Sequence, residues 1–162
     1  MTKHSMDIKS ALKFMFGGNS TFTVVSKATN KRYTFKVKKG REENSPFFVS
    51  YLFGHDSYKF MGTIFTEGNN AYKYFHSRKK IQRDSVVNKT FEWVYNVLRT
   101  QNESKFDLIE FWHEGQCGQC GRKLTVPSSI ESGFGPVCSS INKNEKFNIR
   151  QNAINFLLNN EK

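Results

Sequence analysis

All three cysteines of the chain fall inside one stretch, HEGQCGQCGRKLTVPSSIESGFGPVC, which runs from His113 to Cys138. Cys117 and Cys120 form a CxxC that Gly121 and Arg122 follow at once, and Cys138 closes a GFGPVC run. Thiolates grouped in this way suit a zinc ion, which is held tetrahedrally by sulfur and imidazole nitrogen. For two sulfurs to converge on one ion the chain must turn tightly, with backbone amides aimed at the sulfurs. The residue after the second ligand must then tolerate positive φ, as glycine does. Around Cys138 the glycines permit a sharp approach, and Pro136 suits the first turn of a helix whose positive end would favour a thiolate. A structural zinc site takes four protein ligands. His113, four residues before Cys117, is the preferred fourth, giving the set His113, Cys117, Cys120 and Cys138. His4, His55, His76, Asp107 or a water stay open for that position.

Other chemistries fit less well. Three thiols leave one over in any disulfide scheme, and a lone CxxC acting as a redox pair belongs in a strand-to-helix context without a third cysteine nearby. Zinc deaminases combine HxE with a later PCxxC, whereas here Glu114 follows His113 directly and no proline precedes Cys117. Asp107, Glu110, His113 and Glu114 make the only acidic and histidine cluster. On one strand, however, Asp107 and Glu110 face opposite ways, as in a solvated rim. No serine–histidine arrangement, P-loop or dinucleotide fingerprint is present. The chain is expected to be no enzyme.

The segment that leads into the cysteines, Phe106–Trp112, reads as a strand, and Phe147–Asn159 reads as a terminal helix. Upstream, Ser20–Ala28 and Tyr33–Lys39 alternate and form a hairpin, placing Tyr33, Phe35 and Val37 on one face and Thr34, Lys36 and Lys38 on the other. Phe47–Phe53 and Tyr58–Thr66 follow, separated by turn residues, with large apolar groups on both faces. Either both sides of these strands are covered or some aromatics stay exposed. Ala71–Ser77 is open between a fifth strand and a loop. Asp84 or Ser85 caps a helix over Val86–Arg99, whose stripe is Val87, Phe91, Val94 and Leu98. The fold expected is α+β: an antiparallel sheet packed by that helix, followed by a small zinc knuckle. The expected units are residues 1–104, basic and β-rich, and residues 105–162, the zinc module with its terminal helix.

Charge is segregated between the halves. Residues 1–83 hold 16 Lys and Arg against 5 Asp and Glu, and residues 84–162 hold 9 of each, so the whole excess of +11 lies in the first half. The usage of an AT-rich genome would explain many lysines, but it would not explain why they gather in one half. Segregated charge marks a footprint for a polyanion. The candidates are Lys36, Lys38, Lys39 and Arg41 on one element and Arg78, Lys79, Lys80 and Arg83 on another, with Tyr51, Tyr58, Phe60, Tyr72 and Tyr74 near them in sequence. Most of the 16 Phe, 6 Tyr and 2 Trp must be core, and the run 77–83 could equally be a solvated linker. No stretch of about 18 apolar residues exists, and the amino terminus lacks a cleavage site, so neither a membrane span nor a signal peptide is expected.

The residues from His113 to Cys138 resemble a small cysteine-rich domain of unknown function common in bacteriophage-encoded proteins, with a pattern close to CGxCGRxLTxPxSIxxGxGPxC. Cys117, Cys120, Gly121, Arg122, Leu124, Thr125, Pro127, Ser129, Ile130, Gly133, Gly135, Pro136 and Cys138 match it. The resemblance implies metal binding and a viral setting, in the host cytoplasm, and it supplies no activity. Together with the charge, it leads to an expected non-enzymatic, zinc-binding accessory protein that binds DNA or RNA. The alternative is a protein-interaction module that inhibits or redirects a host enzyme or defence factor.

Overall fold

Alternation of apolar and polar residues carries most of the first half into strands, and the apolar member of each pair turns toward a single layer of helices. A computed structural model describes residues 5–42, 44–55, 57–125, 127–135 and 145–159, with backbone alone at 145–149 and 159. The elements in order are α1 (Ile8–Met15), β1 (Asn19–Ser26), β2 (Arg32–Lys39), β3 (Phe47–Phe53), β4 (Ser57–Ile64), β5 (Tyr74–His76), α2 (Val86–Thr100), α3 (Glu103–Phe106), β6 (Ile109–His113), α4 (Pro127–Ser132) and α5 (Glu145–Asn159). The strands make one antiparallel sheet in the order β5-β4-β3-β2-β1-β6. Five of them run as a meander. β6 then returns from beyond α2 to pair with the far side of β1, matching Phe22 with His113 and Val24 with Phe111. The architecture is α+β, as the sequence leads one to expect.

The covered face of the sheet carries Phe22, Val24, Phe35, Val37, Phe47 and Val49, all buried. Against them pack Leu12, Phe14 and Met15 of α1, Phe91, Val94 and Leu98 of α2, and Ala153, Ile154 and Leu157 of α5. Each such large side chain taken from water contributes roughly 1.5–3 kcal/mol, so this one layer dominates the stability. The Ser85 side chain caps α2 by accepting the Asn88 N–H.

In β4 the register shifts. Val49 pairs with Gly62 but Ser50 pairs with Phe60, which leaves Met61 as the extra residue of a bulge. The bulge lets Met61 and Ile64 both be buried while Phe60 turns to the opposite face.

Three features depart from the sequence reading. α1 is absent from it, although Asp7 caps the helix by accepting the Ser10 N–H at 2.8 Å. Phe106 ends a short helix and Asp107 follows it, so the strand begins only at Ile109. Finally, the described part of 105–162 shares a core with 1–104. β6 completes the sheet, and Ile109, Phe111, Cys117, Phe134 and Ala153 join the same core cluster as Phe22 and Phe91. Among the described residues no helix is long and apolar enough to cross a membrane.

Candidate metal centre and nucleic-acid interface

β6 delivers the chain into a tight knuckle. Gln116 bridges to Lys123, the Cys117 N–H donates to the Arg122 carbonyl at 2.8 Å, and the Gly121 N–H donates to the Cys117 carbonyl at 2.9 Å. Gly121 sits at φ +79°, the left-handed conformation that this turn demands and that glycine adopts without strain. The Cys117 sulfur then lies in a nest of amides, accepting from the N–H groups of Gln119 and Gly135, each at 3.4 Å. Burial pushes the Cys117 thiol up, but the N–H groups of Cys120, Gly135 and Gln119, joined by the Cys120 side chain, outweigh burial and bring it below its ordinary value. Cys117 is buried and Cys120 is exposed, and neither is in a disulfide.

The knuckle is pressed into the rest of the fold. The Gly118 carbonyl accepts the Asn19 N–H at 2.8 Å, and its N–H donates to the Gly133 carbonyl at 2.9 Å. A Cβ on Gly118 would stand 2.8 Å from the Phe14 ring. Glycine is required there because two backbones and a helix meet without room for a side chain.

His113 is 2% exposed and packs on Phe14, with ring centroids 5.5 Å apart. Its Nδ1 accepts the Gly115 N–H at 2.9 Å, while Nε2 faces the Ile130 carbonyl at 2.5 Å. With Nδ1 accepting, Nε2 carries the proton and donates to Ile130. That bond has the form of the outer hydrogen bond that orients a metal-bound imidazole. Nδ1, the nitrogen that would then face an ion, is taken by Gly115, so ligation there requires that one bond be released. Among the described residues no three His, Cys, Asp or Glu side chains form a group able to hold an ion. Cys138, the remaining member of the expected set, lies outside the described residues. The donor chemistry still fits a soft ion: two thiols share one turn, one of them held toward thiolate by amides, and Gly135 touches that sulfur from the segment leading to Cys138.

Of the acidic cluster, Glu110 and Glu114 stay together at β6 while Asp107 does not. Glu110 accepts from the Trp112 indole N–H at 2.9 Å, and Glu114 accepts from the Thr23 hydroxyl at 2.7 Å. Asp107 lies at the end of α3, off the strand.

Residues 111–141 match a family of unknown function (DUF6011). No curated protein and no solved structure matches the chain. The matched segment begins at Phe111 in β6 and takes in the knuckle and α4, so it covers the corner just described and none of the rest of the sheet.

On the sheet face away from the helices, Lys36 and Lys38 project from one strand, opposite Ser50 and Phe48 of β3. Lys39 has the other parity, and its ammonium donates to the carbonyls of Gly40 and Glu42. Arg41 is exposed in the following turn, and Arg78, Lys79, Lys80 and Arg83 are exposed on the connection from β5 to α2. The structure brings Lys36 and Lys38 together and leaves the second basic group beyond the sheet edge. Of the aromatics singled out by sequence, Tyr58 and Phe60 share the lysines' face. Tyr51 and Tyr74 pack against the core, and Tyr72 is buried. Sequence reasoning missed Phe48 and Phe75, which pair with Lys38 and Thr63 on this face. Strict alternation from the buried Phe47 was the signal for Phe48.

Proposed function

We propose that the chain is a non-enzymatic accessory protein of phage type that binds nucleic acid through the open sheet face. We further propose that Cys117, Cys120 and Cys138, with Nδ1 of His113 as fourth donor, hold a structural zinc ion at its corner. The observation that carries the binding reading is the polarity of that face. From β2 to β5 it presents Lys36 and Lys38 with no carboxylate among the described residues, while Glu110 and Glu114 are gathered at β6. Cations placed there neutralise phosphates and release counterions.

Labelled DNA and RNA oligonucleotides, titrated against salt, test this reading. Lys36→Ala with Lys38→Ala is expected to weaken binding and flatten the log K against log salt slope by about 1.4–1.8. No binding at about 50 mM salt, where phosphate contacts are strong, would remove it. Zinc would supply charge and a fixed tetrahedral node, locking the knuckle to whatever carries Cys138. Gly135, whose N–H donates to the Cys117 sulfur, precedes Cys138 by three residues, which span at most about 10 Å of extended chain. Elemental analysis is expected to give one zinc per chain, lost in Cys117→Ser. A metal-free protein with an unchanged fold sinks that half of the proposal.

A second reading, the protein-interaction module, is favoured by one feature. A groove of about 510 Å³ between α2 and the β1–β2 hairpin includes Val86 and Leu108, which are 64% and 58% exposed, with Lys31 and Lys89 on its lining. It becomes the leading reading if oligonucleotides fail to bind.

A further inference from the structure

Three phenylalanines stand on the lysine-bearing face of adjacent strands: Phe48 on β3, Phe60 on β4 and Phe75 on β5, exposed by 40%, 36% and 41%. On the covered face Phe22, Phe35 and Phe47 are fully buried and only Phe53, at the end of β3, is exposed among the described residues, so in the body of the sheet this exposure follows the strand parity. Register places the residues in rows. One row runs Lys38, Phe48, Thr63, Phe75, and the next runs Lys36, Ser50, Phe60. In both, a lysine of β2 leads to rings one to three strands away. Neighbouring strands lie about 4.8 Å apart, so Phe48 and Phe75 are separated by roughly 9–10 Å with Phe60 diagonal to Phe48. Phe48 and Phe60 meet edge to face, their planes 63° apart and centroids 6.2 Å apart. That arrangement leaves ring surface open to a further aromatic.

We infer that the nucleic acid bound on this face is single-stranded, with unpaired bases stacking on Phe48, Phe60 and Phe75 while Lys36 and Lys38 hold its phosphates. The inference rests on the nucleic-acid reading above and adds the class of ligand. A duplex keeps its base faces inside its own stack and offers phosphate ridges to a broad sheet, so rings set there would meet charge and gain nothing. A single strand can turn every base face outward. Because every base has such a face, these rings confer little sequence preference. Glu110 and Glu114 repel phosphates at β6, which directs the strand's path across β2–β5.

The test uses the purified 162-residue chain, a labelled oligo(dT) or oligo(U), and a hairpin duplex of matched charge, followed by fluorescence anisotropy at low salt. The single strand is expected to bind at least about tenfold more tightly. Phe48→Ala and Phe60→Ala should each weaken it about five- to tenfold without altering the salt slope. Phe60→Trp should retain binding and quench on it. Phe60→Leu, which keeps apolar area but no ring, should lose as much as alanine does. Equal binding of the duplex with neutral Phe48 and Phe60 variants overturns this inference and leaves nucleic-acid binding standing. Binding to neither probe overturns both. A dimer in sedimentation that Phe48→Ala dissolves overturns it in favour of a second copy of the chain.

Discussion

The knuckle corner and the open sheet face treat their side chains in opposite ways. At the corner most groups are committed: both nitrogens of His113 hold backbone partners, the Cys117 sulfur takes amide donors, and Gly118 leaves no space against Phe14, although the buried Oε1 of Gln119 lacks a partner. On the face, Phe48, Phe60 and Phe75 are partly open to solvent, Phe48 and Phe60 meet edge to face, Lys38 is exposed, and Lys36 lies over the Tyr58 ring. A region whose atoms are mostly satisfied is suited to positioning its neighbours. An unsatisfied region costs stability and can recover it only by binding. On the proposed reading, the corner serves structure and the face serves recognition.

That contrast can be broken most severely at Phe14. Its ring lies between His113, Phe134, Gly118 and Gly133, so Phe14→Ala is expected to cost about 3–5 kcal/mol in urea unfolding. A loss below about 1 kcal/mol would show that the corner is loosely packed. Gly17→Ala comes next. Its Cβ would meet the Gly118 peptide, the carbonyl carbon at 2.7 Å, and backbone cannot swing aside, so about 1–3 kcal/mol is expected. An unchanged melting temperature would contradict this. The smallest effect belongs to the face. Phe48→Ser and Phe60→Ser should shift stability by no more than about 0.5 kcal/mol while removing oligonucleotide affinity. A large destabilisation there would make the rings core residues and erase the comparison.

Much of the sheet was legible because alternation speaks directly about faces. β3 was read to the residue, and the lysine row of β2 follows from parity alone. The knuckle turn was legible because CGQCGR needs a left-handed residue at one place and supplies glycine there. α1 is harder to read: Asp7 before an apolar run ending at Gly17 and Gly18 carries the capping signal, yet eight residues are too few to show a clear period. The hydrogen bonds of His113 are not legible from spacing. A histidine four residues before a cysteine suits ligation, but its Nδ1 is taken by Gly115, two residues on, and its Nε2 faces Ile130, which only tertiary folding brings near. The shared core was hidden for a similar reason, since nothing local reveals that Ile109–His113 pairs with β1.

That long return of β6 has a consequence for synthesis. While a ribosome makes this chain, the outer edge of β1 has no neighbour until His113 emerges, a wait of about 5–20 seconds at ordinary elongation rates. For that interval a nascent strand rich in Thr, Val and Phe shows a row of unpaired amides to every other chain in the cell. The last strand laid down acts as a seal, and products that terminate before it are the ones expected to form inclusion bodies.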